Sequence, residues 1–530
     1  MALRTFVFSV FVAAFAAILL TTTPLPAGAA EAEDILNARC GACHADEEGG
    51  LSRIAGQRKT PEGWLMTIVR MGIMHGVEVP PDEKRALVKY LADTQGLAPS
   101  EAAPYRYMLE RQPSHIEDFP PEYFFMCARC HSGARGALQR RTKAEWRMHI
   151  DFHLGQWPTT EYQFYGRDRL WWKIATTETT DWLAENLPYE SAAWDAWKGH
   201  NVDLSGDWRW VARGPGVGFA HGTFNASGGD NDMYSASATL NSAMEQGTQL
   251  SGSAILYTGY EFRARLTDGT RTFLSIGALS EDGNTSTGRY MDANQDEIGL
   301  DFTAVRVRDG HSEILAIEPS YIRAGGSAEI TVHGTGLSGD VDLGAGVTVT
   351  GVVSADANTV VVSASADGGA ALGSRSISVG WSALVGGFVV YDAVATVQVE
   401  PAYGMARVGG ANGTRLDQLA LFDAVGYMAD GTRIGAMPAA WSTEPFDEVA
   451  EQLDDVHFAG MMAPNAGIYD PADAGLNPAR PFSTNNVGNL KTVAVVHDWS
   501  RVGVWGTRNA VRGEGQLIVT VQRWNDPPIR

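Results

Sequence analysis

Cysteine is scarce. The 530 residues contain four, too few to staple a chain of this length with disulfides. Positive charge is also short: 41 Lys and Arg stand against 62 Asp and Glu, a formal net charge of −21. That balance argues against a nucleic-acid binder, because phosphate is held by cations that displace its counterions. Long apolar runs are missing beyond the N-terminus. Phe6 to Leu20 spans 15 residues, fewer than the roughly 20 a bilayer-crossing helix needs. Arg4 precedes that run, and Ala27-Gly28-Ala29 follows it as a small-residue cleavage pattern. Residues 1–30 therefore read as a secretory signal peptide, and the rest as an exported, periplasmic protein without a membrane span.

A hydrophobic fraction of 44% is ordinary for folded domains, and 59 Gly with 15 Trp lean toward turn-rich β structure. The length exceeds what one hydrophobic core supports, so several domains are expected. Charge is unevenly spread. Residues 1–200 carry 21 Lys and Arg against 25 Asp and Glu, and residues 201–530 carry 20 against 37. The first part has helix signals, such as Pro81-Asp82-Glu83 opening a run in which Leu87 and Leu91 lie one turn apart. After about residue 200 the chain turns to short alternating runs broken by Gly, Asp and Asn, including Thr248–Thr258, Arg271–Ile276 and Val347–Val353. Residues 204–310 have room for about eight strands, enough for an up-and-down barrel or a small sandwich. Residues 313–395, with Ile314–Pro319 and the turn Gly334-Thr335-Gly336-Leu337, resemble an immunoglobulin-like module. A second sandwich is expected over 396–530, where Gly515–Val521 reads as a strand.

All four cysteines fall in two motifs, Cys40-Gly41-Ala42-Cys43-His44 and Cys127-Ala128-Arg129-Cys130-His131. C-x-x-C-H attaches c-type haem. Two thiols three positions apart on a helical turn can both add to the porphyrin vinyl groups, and the adjacent His then directs its imidazole at the iron. Cys40, Cys43, Cys127 and Cys130 are thus candidates to attach two covalent haem c groups, with His44 and His131 as proximal ligands. A redox dithiol or a four-thiolate zinc ribbon also uses C-x-x-C pairs. Neither requires His at the next position.

Each haem also needs a sixth ligand or an open position. Trp64 is followed seven residues later by Met71, and Trp146 seven residues later by His153, both in helix-like segments. This parallel register suggests a duplicated haem-binding unit, with Met71 as distal ligand of the first haem and His153 of the second. Met74 and His75 compete with Met71, and His149 competes with His153. A sulfur ligand favours reduced iron and a second imidazole lowers the potential, so the first haem would have the higher potential. Arg129, Arg135, Arg140, Arg141, Lys143 and Arg147 cluster around the second motif, to pair with propionates, with an acidic redox partner, or with structural carboxylates.

Two weaker patterns are set aside. Asp292-Ala293-Asn294-Gln295-Asp296 opens like a calcium loop, but Glu297 and Thr303 stand where that loop needs Gly and Glu, so a hairpin turn is favoured. Gly214-Pro215-Gly216-Val217-Gly218 is no phosphate loop, because no Lys-bearing helix follows it.

An exported chain with two C-x-x-C-H units ahead of three β domains resembles the α (haem) subunit of quinohemoprotein amine dehydrogenase, in domain order and length. The resemblance implies a multidomain fold: a mainly α dihaem cytochrome c domain, a barrel-like domain, then two immunoglobulin-like sandwiches. The corresponding boundaries are 31–195 (units 31–100 and 101–195), 196–311, 312–395 and 396–530. It implies two partners, a β-propeller subunit and a small subunit carrying cysteine tryptophylquinone. In that family primary amines become aldehydes at the quinone, and electrons pass through the haems to a cupredoxin or a small cytochrome c. Only Cys40, Cys43, His44, Cys127, Cys130 and His131 match a family motif directly. With all four cysteines taken by haem, the quinone belongs on another chain. Two other readings stay open: a free-standing dihaem enzyme such as a peroxidase, and a non-enzymatic dihaem binding module.

Overall fold

The computed structural model describes residues 27–46, 50–161, 169–409, 416–472, 477, 488–498 and 509–521. The apolar run and Arg4 of the expected signal peptide lie outside them. No helix among the described residues is long and apolar enough to cross a membrane.

Helices dominate up to residue 197, in two units. The first packs α1 (Ala27–His44), α2 (Pro61–His75) and α3 (Pro81–Thr94) around Leu36, Trp64, Leu87, Val88 and Leu91. Local chemistry sets the limits of α2. The Thr60 hydroxyl accepts from the Gly63 N–H at 3.3 Å, and Pro61 supplies a helical φ at the first position. The helix stops at Gly76, whose φ of 68° is left-handed and cheap only for glycine. The second unit packs α4 (Lys143–Gln156) and α5 (Thr180–Asn186) around Tyr123, Met126, Trp146, Ile150, Trp171 and Leu183.

A two-stranded sheet joins the units: β1 (Gln57–Lys59) pairs antiparallel with β2 (Gln139–Arg141). The pairing is symmetric. Gln57 faces Arg141, Arg58 faces Arg140, and Lys59 faces Gln139. Each strand leads into a Thr-capped helix, Thr60 into α2 and Thr142 into α4, with Thr142 accepting from the Glu145 N–H at 3.2 Å. Each helix then buries a tryptophan that donates to the C-terminal carbonyl of the unit's closing helix. Trp64 Nε1 reaches Gln95 O and Trp146 Nε1 reaches Leu187 O, both at 3.1 Å. The same carbonyls accept from Lys59 N and Arg141 N. A local twofold axis between Arg58 and Arg140 thus relates the units.

The barrel region closes on itself. β3 (Gly206–Gly214), β4 (Gly218–Gly228), β5 (Met233–Ser242), β6 (Thr248–Tyr257), β7 (Glu261–Thr267), β8 (Thr272–Leu279), β9 (Thr285–Asp292) and β10 (Gly299–Arg306) follow in sequence, and β10 pairs back with β3. Alternation supplies the interior: in β5, Tyr234, Ala236, Ala238 and Leu240 point in while their neighbours face out. Eight strands leave room for little beyond side chains, and a residual cavity of about 70 Å³ is lined by Trp208, Trp210, Phe224, Phe262 and Phe302. Gly222 is forced by proximity, since a Cβ there would lie 1.8 Å from Thr239 O and 2.7 Å from the Trp210 ring. Gly214–Gly218 is the β3–β4 hairpin, as its Gly214–Gly218 pairing shows. The Asp292 carboxylate accepts the N–H groups of Asn294 and Gln295, which makes that stretch a turn between β9 and β10.

The third part has two four-stranded sheets. One orders Glu313–Glu318, Ser327–Thr335, Thr359–Ala366 and Val347–Ala355; the other orders Tyr321–Arg323, Ser382–Tyr391, Gly373–Val379 and Val341–Asp342. Ile330, Val332 and Val362 of one share a core with Ile377, Phe388 and Val390 of the other. The fourth part is more divided than a single pair of facing sheets. It has a three-stranded sheet (Thr396–Glu400, Asp423–Tyr427, Arg433–Ala436) and a four-stranded one (Tyr403–Val408, Asn509–Val521, Gly488–Asp498, Ala440–Pro445). A small third sheet (Ala420–Leu421, Ile468–Pro471, Gly460–Met462) adds Tyr469 and Met462 to their shared core.

The barrel is the hub of the molecule. The helical units reach it through Thr258 N to Asp93 (2.8 Å), Lys89 to Asp232 (2.8 Å) and Arg111 to Asp296 (3.2 Å). Arg213 ties it to Glu318 of the third part at 3.2 Å, and Gly216 N donates to Asp423 of the fourth at 3.1 Å.

Candidate haem centres

The first motif occupies the last turn of α1. Cys40 packs half-buried on the Leu36–Trp64–Leu91 core, and Cys43 is exposed one turn on. The chain then doubles back. Ser52 N and Ser52 Oγ both donate to His44 O, at 2.7 and 3.0 Å, and Ser52 O lies 2.9 Å from His44 Nδ1. With Nδ1 held by a carbonyl, His44 keeps Nε2 for a metal, the usual arrangement of a ligating imidazole.

The second motif begins inside a π-helical turn, Phe124–Ala128, which contains Cys127. Cys127 packs on the Tyr123–Trp146–Trp171 core while Cys130 is exposed. His131 Nδ1 lies 2.9 Å from Ser132 O, so this imidazole is also tied to a backbone carbonyl through Nδ1.

No disulfide joins the four cysteines. Burial pushes the thiols of Cys40 and Cys130 up, and that of Cys127 up to about 12. A redox dithiol needs a lowered thiol pKa, so these pairs do not suit that role. No three His, Cys, Asp or Glu side chains gather as a metal site among the described residues, so the four thiols form no zinc ribbon.

The structure brings His153 to His131. Their ring centres are 6.5 Å apart with planes at 52°. Metal–nitrogen bonds of about 2.0 Å, with ring centres roughly 1.1 Å beyond the nitrogens, would put two imidazoles sharing a metal from opposite sides about 6.2 Å apart. The observed gap fits one iron between the rings. Burial, above all, holds both rings neutral, His153 down to about 4, as a ligand must be. Nδ1 of His153 is buried without a partner. His149, one turn earlier, is turned to other work: its ring packs 6.1 Å from Trp146 and 6.4 Å from Phe152.

At the first centre Met71 is half-buried on α2, whereas Met74, at 49% exposure, and His75 are exposed. Of the basic residues near the second motif, Arg140 is structural. It shares Glu101 with Arg58, the Arg58 pair at 2.8 Å and the Arg140 pair at 3.2 Å, all three side chains buried. Lys143 pairs with Asp181, and Arg147 with Asp151.

One signal in the sequence was larger than the Trp-to-ligand spacing. Gln57-Arg58-Lys59-Thr60-x-x-x-Trp64 repeats as Gln139-Arg140-Arg141-Thr142-x-x-x-Trp146, and the same offset of 82 places Met71 on His153. Comparing the chain with itself at that offset reveals the strand, the cap, the buried tryptophan and the distal candidate together.

Four family models match the chain in succession. They are quinohemoprotein amine dehydrogenase A, alpha subunit, haem binding (residues 30–194), then alpha subunit domain II (201–307), domain III (311–392) and domain IV (397–529). No curated protein matches. Among solved structures, a redesigned beta barrel aligns at 16% identity over 20% of this chain and 92% of its own, with a TM-score of 0.17. A Bacteroides ovatus SGBP-B of a mixed-linkage glucan utilization locus aligns at 10% identity over 54% and 62%, with a TM-score of 0.18. Surface layer protein SbsC, domains 1–6, aligns at 10% over 91% and 97%, with a TM-score of 0.17. Scores this low carry no argument about the present fold. The family models do, because the haem-binding match contains both C-x-x-C-H motifs and the other three fall on the barrel and the two later β regions. The chain belongs to the quinohemoprotein amine dehydrogenase alpha subunit family.

Proposed function

We propose that the chain is the dihaem c electron-transfer and scaffold subunit of a periplasmic amine dehydrogenase. Electrons enter from a quinone on a small partner subunit, cysteine tryptophylquinone in this family, and leave to a cupredoxin or a small cytochrome c. A β-propeller subunit completes the assembly. The chemistry that turns primary amines into aldehydes lies on the quinone-bearing chain, since the four thiols here are assigned to haem. Haem, when bound, supplies one-electron chemistry at iron. This chain supplies its attachment and orientation. Cys40 and Cys43 anchor the first group and Cys127 and Cys130 the second. His44 and His131 would hold the iron through Nε2, and Met71 and His153 would supply its further ligands. Residues 31–195 form the dihaem domain in this reading. The regions 196–311, 312–395 and 396–530 are the barrel and two immunoglobulin-like sandwiches that grip the partners.

The 6.5 Å approach of His131 and His153 carries the proposal. Two imidazoles holding one iron there would leave it without the open position a peroxidase needs, which supports the electron-transfer reading. Purification of the native, exported protein is the test. Two covalent haems and a co-purifying quinone-bearing subunit are expected. A chain that purifies alone, with no such partner, would overturn the reading.

A further inference from the structure

The strand repeat places Lys59 and Arg141 at equivalent positions, and both are 4% exposed. Lys59 Nζ lies 4.9 Å from the Trp64 ring centre and donates to Thr67 Oγ1 at 2.7 Å. The Arg141 guanidinium lies 5.4 Å over the Trp146 ring, so each repeat rests its cation on its own buried tryptophan. Arg70, half-buried on α2, covers Phe152 of α4 at 5.4 Å. These three cations, with Arg53 and His149, face one another. The carboxylate facing them is Glu145, 3.9 Å from Arg141 and already bonded to Arg53 at 3.1 Å. Arg141 Nε is buried with no partner.

Buried like charges at this density cost several kcal/mol each unless anions balance them. Burial, then the neighbouring cations, presses Lys59 well below its ordinary value, and burial brings Arg141 down to about 9 despite Glu145. Lys59, Arg141, Arg70 and Arg53 against the Glu145 carboxylate leave three positive charges to neutralise. The position identifies what does so. Arg70 is adjacent to Met71 in sequence, and Phe152, which it covers, is adjacent to His153. Arg70 and His149 also face His153, and Arg70 precedes Met71, so the cluster borders the two candidate distal ligands, and a haem carries two carboxylates.

We propose that Lys59, Arg141 and Arg70 bind haem propionates at the junction of the two repeats, so that one shared set of cations sets the electrostatic environment of both haems. This rests on the assignment of haem to the two motifs. Removing a cation beside a propionate makes adding an electron to the iron less favourable, which lowers its potential.

The test uses the exported holo-complex with the double variant Lys59→Met and Arg141→Met, and separately Arg70→Gln. Intact mass counts the haems, and potentiometric titration reads each midpoint. Two haems are expected in every variant, with at least one reduction constant down tenfold or more, a shift of about 59 mV for one electron. Lys59→Arg and Arg141→Lys, which keep the charge, should restore the wild-type midpoints. Two haems with unchanged midpoints in both Met and Gln variants would overturn the proposal. Arg70→Gln, at a half-buried site, supplies the same readout should the double variant fail to accumulate. A wild-type chain without haem on Cys40, Cys43, Cys127 and Cys130 would instead defeat the assignment beneath it.

Discussion

At the scale of residues, the two centres differ in one atom type. Both present a proximal imidazole tied through Nδ1 to a carbonyl, at 2.9 Å in each case. In the proposed ligand sets they part at the distal position, sulfur at Met71 and nitrogen at His153. Methionine favours ferrous iron relative to a second imidazole, so Met71→His should leave the first haem attached and lower its midpoint, as potentiometric titration would show. An unchanged midpoint would remove Met71 as the ligand. His153→Ala should convert one of two low-spin haems to a high-spin, ligand-accessible form, because the ring that fills the gap opposite His131 is gone. A spectrum that stays fully low-spin would point to another distal group. Attachment is separable from ligation: Cys127→Ala with Cys130→Ala should leave one covalent haem, and a mass still showing two would refute the second site.

At the scale of elements, the repeat is built from matched local devices, a strand of three residues, a threonine cap and a tryptophan that closes its unit. Threonine N-caps are worth about 1 kcal/mol, so Thr60→Ala and Thr142→Ala should each cost about that much in urea denaturation. A loss near zero at either site would mean that tertiary packing, not the cap, fixes that helix start. Much of this level was legible beforehand. Proline and acids at Pro81–Glu83 announced α3, the alternating runs announced barrel strands to within a few residues, and the Trp-to-ligand spacing exposed the duplication. What stayed hidden was set by distant partners. Nothing local in Gln57–Lys59 says that it pairs with Gln139–Arg141, and nothing around Arg140 says that its charge is spent on Glu101. The sequence left the basic cluster between propionate, partner and structural pairing; the structure buries Arg140 and Arg141 and spends Arg140 on Glu101. The fourth region showed its last strand, Gly515–Val521, but its division into three sheets depends on pairings between segments far apart in sequence.

At the scale of the whole molecule, the barrel's junctions carry opposite responses to pH. Against the third part, His221 of β4 and His333 pack with ring centres 4.4 Å apart and planes tilted by 41°, beside Phe219 and Arg209, whose Nη2 lies 3.0 Å from His221 Nδ1. Burial, then Arg209, holds His221 down to about 4; burial, then His221 and Arg209, holds His333 down to about 3. Both depressed groups are neutral when folded. The unfolded chain takes up protons first as pH falls, so stability is complete above the ordinary histidine range near 6.5 and is lost from there down to about 4 for His221 and about 3 for His333. Against the fourth part, Glu297 accepts from Leu419 N at 2.9 Å and is pushed by burial up to about 7. Its sign is reversed: the folded state holds the proton, so this contribution is complete below the ordinary carboxyl range and lost as pH rises through about 7. The two junctions therefore favour a window near pH 6, each limb amounting to about 1 kcal/mol per pH unit. Unfolding midpoints of the holoprotein across pH 4–8 should show a maximum. His333→Gln should flatten the acid limb relative to wild type, and Glu297→Gln the alkaline one. Parallel acid limbs in wild type and His333→Gln would locate the acid response elsewhere.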